Sequence, residues 1–138
     1  MLRFEKDHPM AIIPTLATEG SCGFDLYANT ICTIEPGQTT PVDTSIIVEI
    51  PKGYVGLITP RSGMAIKERV AAVLGTIDQD YRGRLRVMLE NKTDQPYQVQ
   101  SGQRIAQLVI VACLTEFETG RIGRNTQRGD KGFGSTGR

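Results

Sequence analysis

The segment Gly75-Thr76-Ile77-Asp78-Gln79-Asp80-Tyr81-Arg82-Gly83 places a carboxylate and a phenol close together between two glycines. Aspartate favours turns, so a solvated turn is one reading. The other is chemical: Gly75 allows close approach to the backbone, Asp78 offers a base and Tyr81 a flat floor. A second segment, Thr59-Pro60-Arg61-Ser62-Gly63-Met64-Ala65, sets a guanidinium, a hydroxyl and free backbone N–H groups side by side. It suits phosphate oxygens through bidentate and charge-assisted bonds, or Ser62 simply caps a short helix. A third is the glycine-rich tail Arg128-Gly129-Asp130-Lys131-Gly132-Phe133-Gly134-Ser135-Thr136-Gly137-Arg138. Such tails are commonly disordered. This one also has the makings of an anion-binding strap, with glycines, two hydroxyls and flanking cations around one aromatic ring. The Walker A pattern, Gly-Lys-Ser/Thr opening a helix, is absent. Phosphates plus a nucleobase is the ligand class that the tail suggests.

Composition narrows the chemistry. A chain of 138 residues is expected to form one domain with a sizeable core. With a net charge of +1 there is no global field for nucleic acid or anionic membranes, so a polyanion must be held by locally grouped cations. No apolar run approaches the ~20 residues that span a bilayer, and the charged, alternating start reads as no signal peptide. Three cysteines without a C-x-x-C spacing fit reduced thiols in an intracellular setting. With His8 as the single histidine, a Ser-His-Asp triad or histidine-rich metal site is nearly excluded. Hydrolysis here would fall to carboxylates and cations.

The elements that must position these groups read as strands. Turn signals recur at Glu35-Pro36-Gly37-Gln38, Pro51-Lys52-Gly53-Tyr54, Thr93-Asp94-Gln95-Pro96 and Gln100-Ser101-Gly102-Gln103. Between them Ile46, Val48 and Ile50 share a face, as do Val55 and Leu57, and Leu85, Val87 and Leu89. Period two with frequent turns predicts an all-β sandwich or barrel. The only helical candidate runs from Ser62 to Arg69. Val70–Leu74 and Arg84–Leu89 are expected to form a hairpin with Asp78 and Tyr81 near its tip. Asp25 reads as a half-exposed strand carboxylate opposite Phe24 and Leu26. Gln107 is expected on the face of Ile105, Val109 and Val111, where burial would require hydrogen-bond partners. Residues 1–123 form the expected core and 124–138 the arm.

Five segments in this order resemble the five motifs of the homotrimeric dUTP pyrophosphatases, the dUTPases. They are Cys22–Ala28, Pro60–Ala65, Gly75–Gly83, Gly102–Leu108 and Arg128–Gly137. The resemblance covers nearly the whole chain. It implies a distorted jelly-roll β-barrel with one short helix after Ser62, a mobile C-terminal arm and a threefold trimer whose sites each draw on all three chains. The implied reaction is dUTP plus water giving dUMP and pyrophosphate with Mg²⁺, which keeps uracil out of DNA and supplies a thymidylate precursor.

Carried over residue by residue, the resemblance makes Asp78 the base for the water that attacks the α-phosphorus in line. Asp25 would hold Mg²⁺ through water. Arg61, Ser62 and Gly63 would bind the α- and β-phosphates with Gln107 assisting. Tyr81 would underlie the deoxyribose and exclude a 2′-hydroxyl. Uracil would enter between the hairpin strands at the Gly75-Thr76-Ile77 side, reaching backbone groups near Gly75 and Arg86. Arg128 would meet the γ-phosphate, Phe133 would stack on uracil, and Gly134, Ser135 and Thr136 would donate to phosphates.

Many family members carry an asparagine where this chain has Ala72, an aliphatic residue at Thr76 and an alanine at Cys22, so uracil contact is expected through backbone or water. The related trimeric dCTP deaminases need a glutamate at the base, and none stands near this hairpin. A dUTPase-derived module that binds and regulates another protein is the alternative function. The expected partners are dUTP and two further copies of the chain, with no direct nucleic acid and no membrane. The expected location is intracellular and cytoplasmic, a nuclear location and a viral origin both being compatible.

Overall fold

The computed structural model describes residues 1–134, so Ser135 and Thr136 of the expected strap lie outside the described residues. Eleven strands and one short helical segment make up its regular elements. The first sheet has the order β1-β5-β9-β7, with β1 Arg3–Lys6, β5 Thr39–Glu49, β9 Arg84–Asn91 and β7 Val70–Ala72. The second has the order β2-β3-β11-β6-β8, with β2 Thr15–Leu16, β3 Gly23–Tyr27, β11 Arg104–Ala112, β6 Tyr54–Thr59 and β8 Gly75–Ile77. A separate ribbon pairs β4 Cys32–Ile34 with β10 Tyr97–Val99. Every pairing is antiparallel. The result is the expected all-β, jelly-roll-like architecture, built from hydrogen-bonded sheets rather than one closed barrel.

The core follows from alternation. Ile46 and Val48 of β5 and Leu85, Val87 and Leu89 of β9 are at most 1% exposed, and they meet Leu26, Ile105 and Leu108 of the other sheet. Each such side chain contributes about 1.5–3 kcal/mol relative to exposure. In β6 the buried positions are Gly56 and Ile58, while Val55 and Leu57 stand half-buried on the outer face. Gly56 leaves room for the Ile50 tip, whose Cδ1 would lie 2.9 Å from a Cβ placed there.

Pro41 sits inside β5, a central strand, where a missing N–H would normally be costly. Val73 N–H donates to the Met88 carbonyl at 2.8 Å, so Met88 turns its backbone groups toward β7 and away from its partner Pro41. The Pro41 nitrogen therefore faces the other edge of β5, which β1 covers only along Ile46–Glu49. No ladder bond is lost. Between these stretches β5 bulges: its register to β9 jumps between Asp43 and Ile47, and Ser45 adopts a left-handed φ of 53°. The Asp43 Oδ1 accepts the Ser45 N–H at 2.8 Å, which offsets the conformational cost.

Two local expectations change. The register of β11 shifts between Arg104 and Ala106, so Ile105 and Ala106 are both fully buried and Ile105 does not share the face of Gln107. The chain from Val70 to Leu89 begins as a hairpin, but after Val73 it leaves β9, and β8 joins β6 in the other sheet.

Candidate functional site

One end of β6 leads through Thr59 and Pro60, which cannot extend the ladder, into Arg61-Ser62-Gly63. The helical segment that follows is π-type over Met64–Glu68 and ends at Arg69 with a left-handed φ of 55°. Ala65 N–H donates to the Arg61 carbonyl at 3.0 Å. The preceding first-turn N–H groups of Ser62 and Gly63 have no earlier helical carbonyl to meet. No side chain caps this segment, so the capping reading of Ser62 is not what the structure adopts. Ser62 and Gly63 are both exposed.

Asp25 and Gln107 face each other across β3 and β11, and Gln107 faces Thr59 across β6. This row sets Asp25 and Gln107 beside the end of β6 from which Arg61 continues. Asp25 is only 3% exposed, against the half-exposed reading, because Arg61 and Arg104 flank it: Arg61 Nε lies 3.7 Å and Arg104 Nη1 3.6 Å from its oxygens. Arg61 Nη1 also donates to the Arg104 carbonyl at 3.5 Å. Gln107 is half-buried and folds over Gly23, where a Cβ would meet its Oε1 at 2.9 Å. Beside the row opens a cleft of about 510 Å³ lined by Arg61, Gly63, Lys67, Arg104, Tyr27 and Gln103, among others.

Arg104 and Lys67 were not among the expected site residues. Arg104 lies inside the Gly102–Leu108 segment, which was the available signal. The hydrogen bonds of Tyr97 to Glu68 (2.8 Å) and of Gln103 to Tyr97 (2.7 Å) tie the helical segment to that same turn. Burial first, and then the bond to Glu68, push the Tyr97 phenol above its usual range.

The other end of β6 borders the second group. Ile77 pairs with Gly56, and Asp78 follows it into a turn, exposed, where its carbonyl accepts the Tyr81 N–H at 3.2 Å. Asp78 shares a cleft of about 430 Å³ with Tyr54, Asp80 and Cys113, among others. The Tyr81 ring lies against Gly83, where a Cβ would come within 2.6 Å of its Cζ, and its hydroxyl donates to the Arg84 carbonyl at 2.9 Å. Gly83 is therefore a seat for the ring. Arg84 is held in turn by Asp7 and Asp43. Burial would raise the Asp43 carboxyl, but the Ser45 N–H and the Arg84 guanidinium outweigh it and hold it below its ordinary value.

Where β8 departs, β9 is left with one free edge. Since Met88 turns its backbone toward β7, the two-residue period turns the N–H and C=O of Arg86 the same way, toward the edge that β7 no longer covers. An edge of unpaired backbone groups is what a base-pairing surface needs. Ala72 is no part of it, being 6% exposed in the core.

The structure does not unite these two groups within one chain. Asp25 and Asp78 are separated by three strand steps and most of β6, roughly 20 Å at ~4.8 Å per strand and ~3.3 Å per residue. In the arm, Arg128 accepts from Lys131 N–H at 3.2 Å, Gly129 N–H donates to Thr126 Oγ1 at 2.9 Å, and Phe133 is fully exposed with a φ of 52°. Gly134, with a φ of 91°, follows it.

Among the described residues no group of three His, Cys, Asp or Glu side chains could hold a metal directly. Asp25 fits an outer role: both of its cation contacts exceed hydrogen-bonding distance, leaving acceptor capacity for metal-bound waters.

A cleft lined by Arg61, Lys67 and Arg104, two of which flank the shielded Asp25, is set on an all-β frame and equipped for a polyanionic ligand. The dUTPase family model matches residues 10–137. A deoxyuridine 5'-triphosphate nucleotidohydrolase of Hydrogenobaculum sp. (strain Y04AAS1) is 44% identical over 131 residues, 92% of this chain and 91% of that one. The Staphylococcus bacteriophage 80alpha dUTPase, solved with dUpNHpp, is similar at a TM-score of 0.91 and 29% identity over 100% of this chain and 99% of that one. Phage dUTPases of that kind are described as controlling transfer of virulence genes by a proto-oncogenic G protein-like mechanism. A mutant dUTPase from phage phi11 of S. aureus, in which a structural Mg(II) ion is coordinated, matches at 0.85 and 25% identity over 91% of this chain and 99% of that one. The chain belongs to the dUTPase family, and it is an enzyme, a dUTP diphosphatase.

Proposed function

We propose that the chain converts dUTP to dUMP and pyrophosphate at sites shared between three copies. The observation that carries the shared site is the separation of Asp78 from Asp25 and Arg61 by most of the length of β6. Both groups are equipped for one nucleotide, and they serve it only if different chains supply them.

In this reading Arg61, with the free N–H groups of Ser62 and Gly63, binds the α- and β-phosphates, and Gln107 assists. Uracil enters the gap beside Gly75, Thr76 and Ile77 and pairs with the Arg86 backbone edge. Tyr81 underlies the deoxyribose. Asp78 orients the attacking water and takes its proton, as the bridging oxygen leaves with pyrophosphate. General-base help of about 10²–10⁴-fold leaves most of the acceleration to positioning and charge. Asp25 would hold Mg²⁺ through water, and the ion would supply charge neutralisation.

The arm from residue 124 onward closes over a neighbouring site, Arg128 toward the γ-phosphate and Phe133 on uracil, with Gly134, Ser135 and Thr136 completing the strap. Ordering about ten residues costs on the order of 10 kcal/mol, so closure requires the triphosphate. Limiting uracil in DNA and supplying dUMP, in an intracellular compartment, is the physiological role. The phage resemblance supports an additional regulatory contact as a second reading.

The test is subunit complementation. Asp78→Asn and Arg61→Gln are each expected to be inactive; refolded together at equal amounts they should regain about a quarter of the wild-type sites, through mixed trimers. Absence of recovery in verified mixed trimers rejects the shared site. Pyrophosphate released from dUTP, without ammonia from dCTP, identifies the reaction.

A further inference from the structure

We infer that Arg84 is a positioning residue for sugar selection, acting through Tyr81. The inference rests on the proposed placement of deoxyribose on Tyr81 and deepens it. Arg84 is the first residue of β9, and it enters the sheet with a partner on one side only: Ile47 of β5 is opposite, while β7 extends no further than Ala72 against Leu89. The backbone at this point lacks the second ladder that normally fixes a central strand. Its carbonyl is nevertheless the atom on which the Tyr81 hydroxyl rests, at 2.9 Å.

The guanidinium supplies the missing constraint. Its Nε donates to Asp7 Oδ2 at 2.7 Å and its Nη2 to the Asp7 carbonyl at 3.1 Å. Its Nη1 donates to Asp43 Oδ2 at 2.9 Å and lies 3.4 Å from Ser45 Oγ. Asp43 is itself fixed by the bulge, where its second oxygen accepts the Ser45 N–H, and Asn29 Nδ2 donates to Ser45 Oγ at 3.0 Å. One side chain thus ties the end of β1 and the β5 bulge to the turn that carries Asp78 and Tyr81. Charge-assisted bonds of this kind are directional and short, so they set position as well as stability. The Tyr81 ring is then held at two points, Gly83 beneath it and the Arg84 carbonyl at its hydroxyl.

Excluding a 2′-hydroxyl by contact demands that the floor not yield. Releasing the guanidinium should let the turn and its ring shift outward, loosening the fit to deoxyribose while admitting ribose. A merely structural ion pair would lower stability and leave substrate preference unchanged.

The experiment uses the full chain as Arg84→Met, Arg84→Lys and Asp7→Asn. It measures kcat and KM for dUTP and UTP, with hydrogen exchange of the segment 78–86 in the ligand-free protein. For Arg84→Met the dUTP-over-UTP preference in kcat/KM should fall about fivefold or more, chiefly through a higher KM for dUTP, and exchange in the segment should quicken. Arg84→Lys should recover part of both. Should Arg84→Met fail to fold, Asp7→Asn, which removes a single exposed acceptor charge, decides the matter with about a twofold shift in the same direction. Folded variants with unchanged preference and unchanged exchange overturn the inference, whatever their melting temperature. If wild-type protein does not hydrolyse dUTP, the functional reading fails separately, and the exchange data still judge the clamp.

Discussion

Asp78 and Asp25 carry the same functional group in opposite surroundings. Asp78 is exposed on a turn, open to water, whereas Asp25 is buried with two guanidinium groups beside it. Their proposed roles follow from that difference rather than from residue identity. Asp78→Asn should therefore retain binding of a non-hydrolysable dUTP analogue, measured by calorimetry, while turnover falls by about 10²–10⁴-fold; near-normal turnover would remove Asp78 as the base. Asp43 contributes differently. Its pKa is lowered in the folded protein, so its stabilisation is fully present above the unfolded carboxylate value and is lost as pH falls through the lower folded one. Asp43→Asn should lower the melting temperature at neutral pH and narrow its gap to wild type below about pH 4, an unfolded aspartate titrating near 3.9.

Among the elements, the stretch from β7 to β9 does the most. Its strands belong to different sheets, and the departure of β8 creates the open edge at Arg86 and carries Asp78 to the far end of β6. The Tyr81 seat depends on a residue without a side chain. Gly83→Ala should displace the ring and break the hydroxyl bond to Arg84, raising KM for dUTP severalfold, while the core strand Leu85–Leu89 keeps the fold intact. An unchanged KM would show that the ring is not the floor. The hairpin was legible as an alternating pattern, but its opening was not, since Val73 and Leu74 look no different from strand residues. Likewise the β11 bulge that buries Ile105 leaves no mark in a period-two reading.

At the level of the molecule, a single copy is an incomplete enzyme in the proposed mechanism. Its two equipped groups lie roughly 20 Å apart, and neither can reach the other's ligand atoms by side-chain rotation. After β11, Cys113 N–H still donates to the Gly53 carbonyl at 2.9 Å, whereas the described residues of the arm, 124–134, bond only to near neighbours. Ending the chain after Asn125 should preserve the assembly, measured by light scattering, and reduce kcat/KM for dUTP by orders of magnitude. An unaffected rate would refute the lid.

Much was readable in order along the chain: alternation dictated the all-β core, and the order of five segments pointed to the family and its chemistry. These are local properties, expressed through backbone period and residue type. What needed three dimensions was the company each group keeps. That Arg104 guards Asp25, that Arg84 braces Tyr81, and that Asp78 lies at the opposite end of β6 from Arg61 are products of strand register and sheet order. Such long-range pairings place side chains distant in sequence within a few ångströms, or hold near ones apart, and no linear pattern encodes that distance.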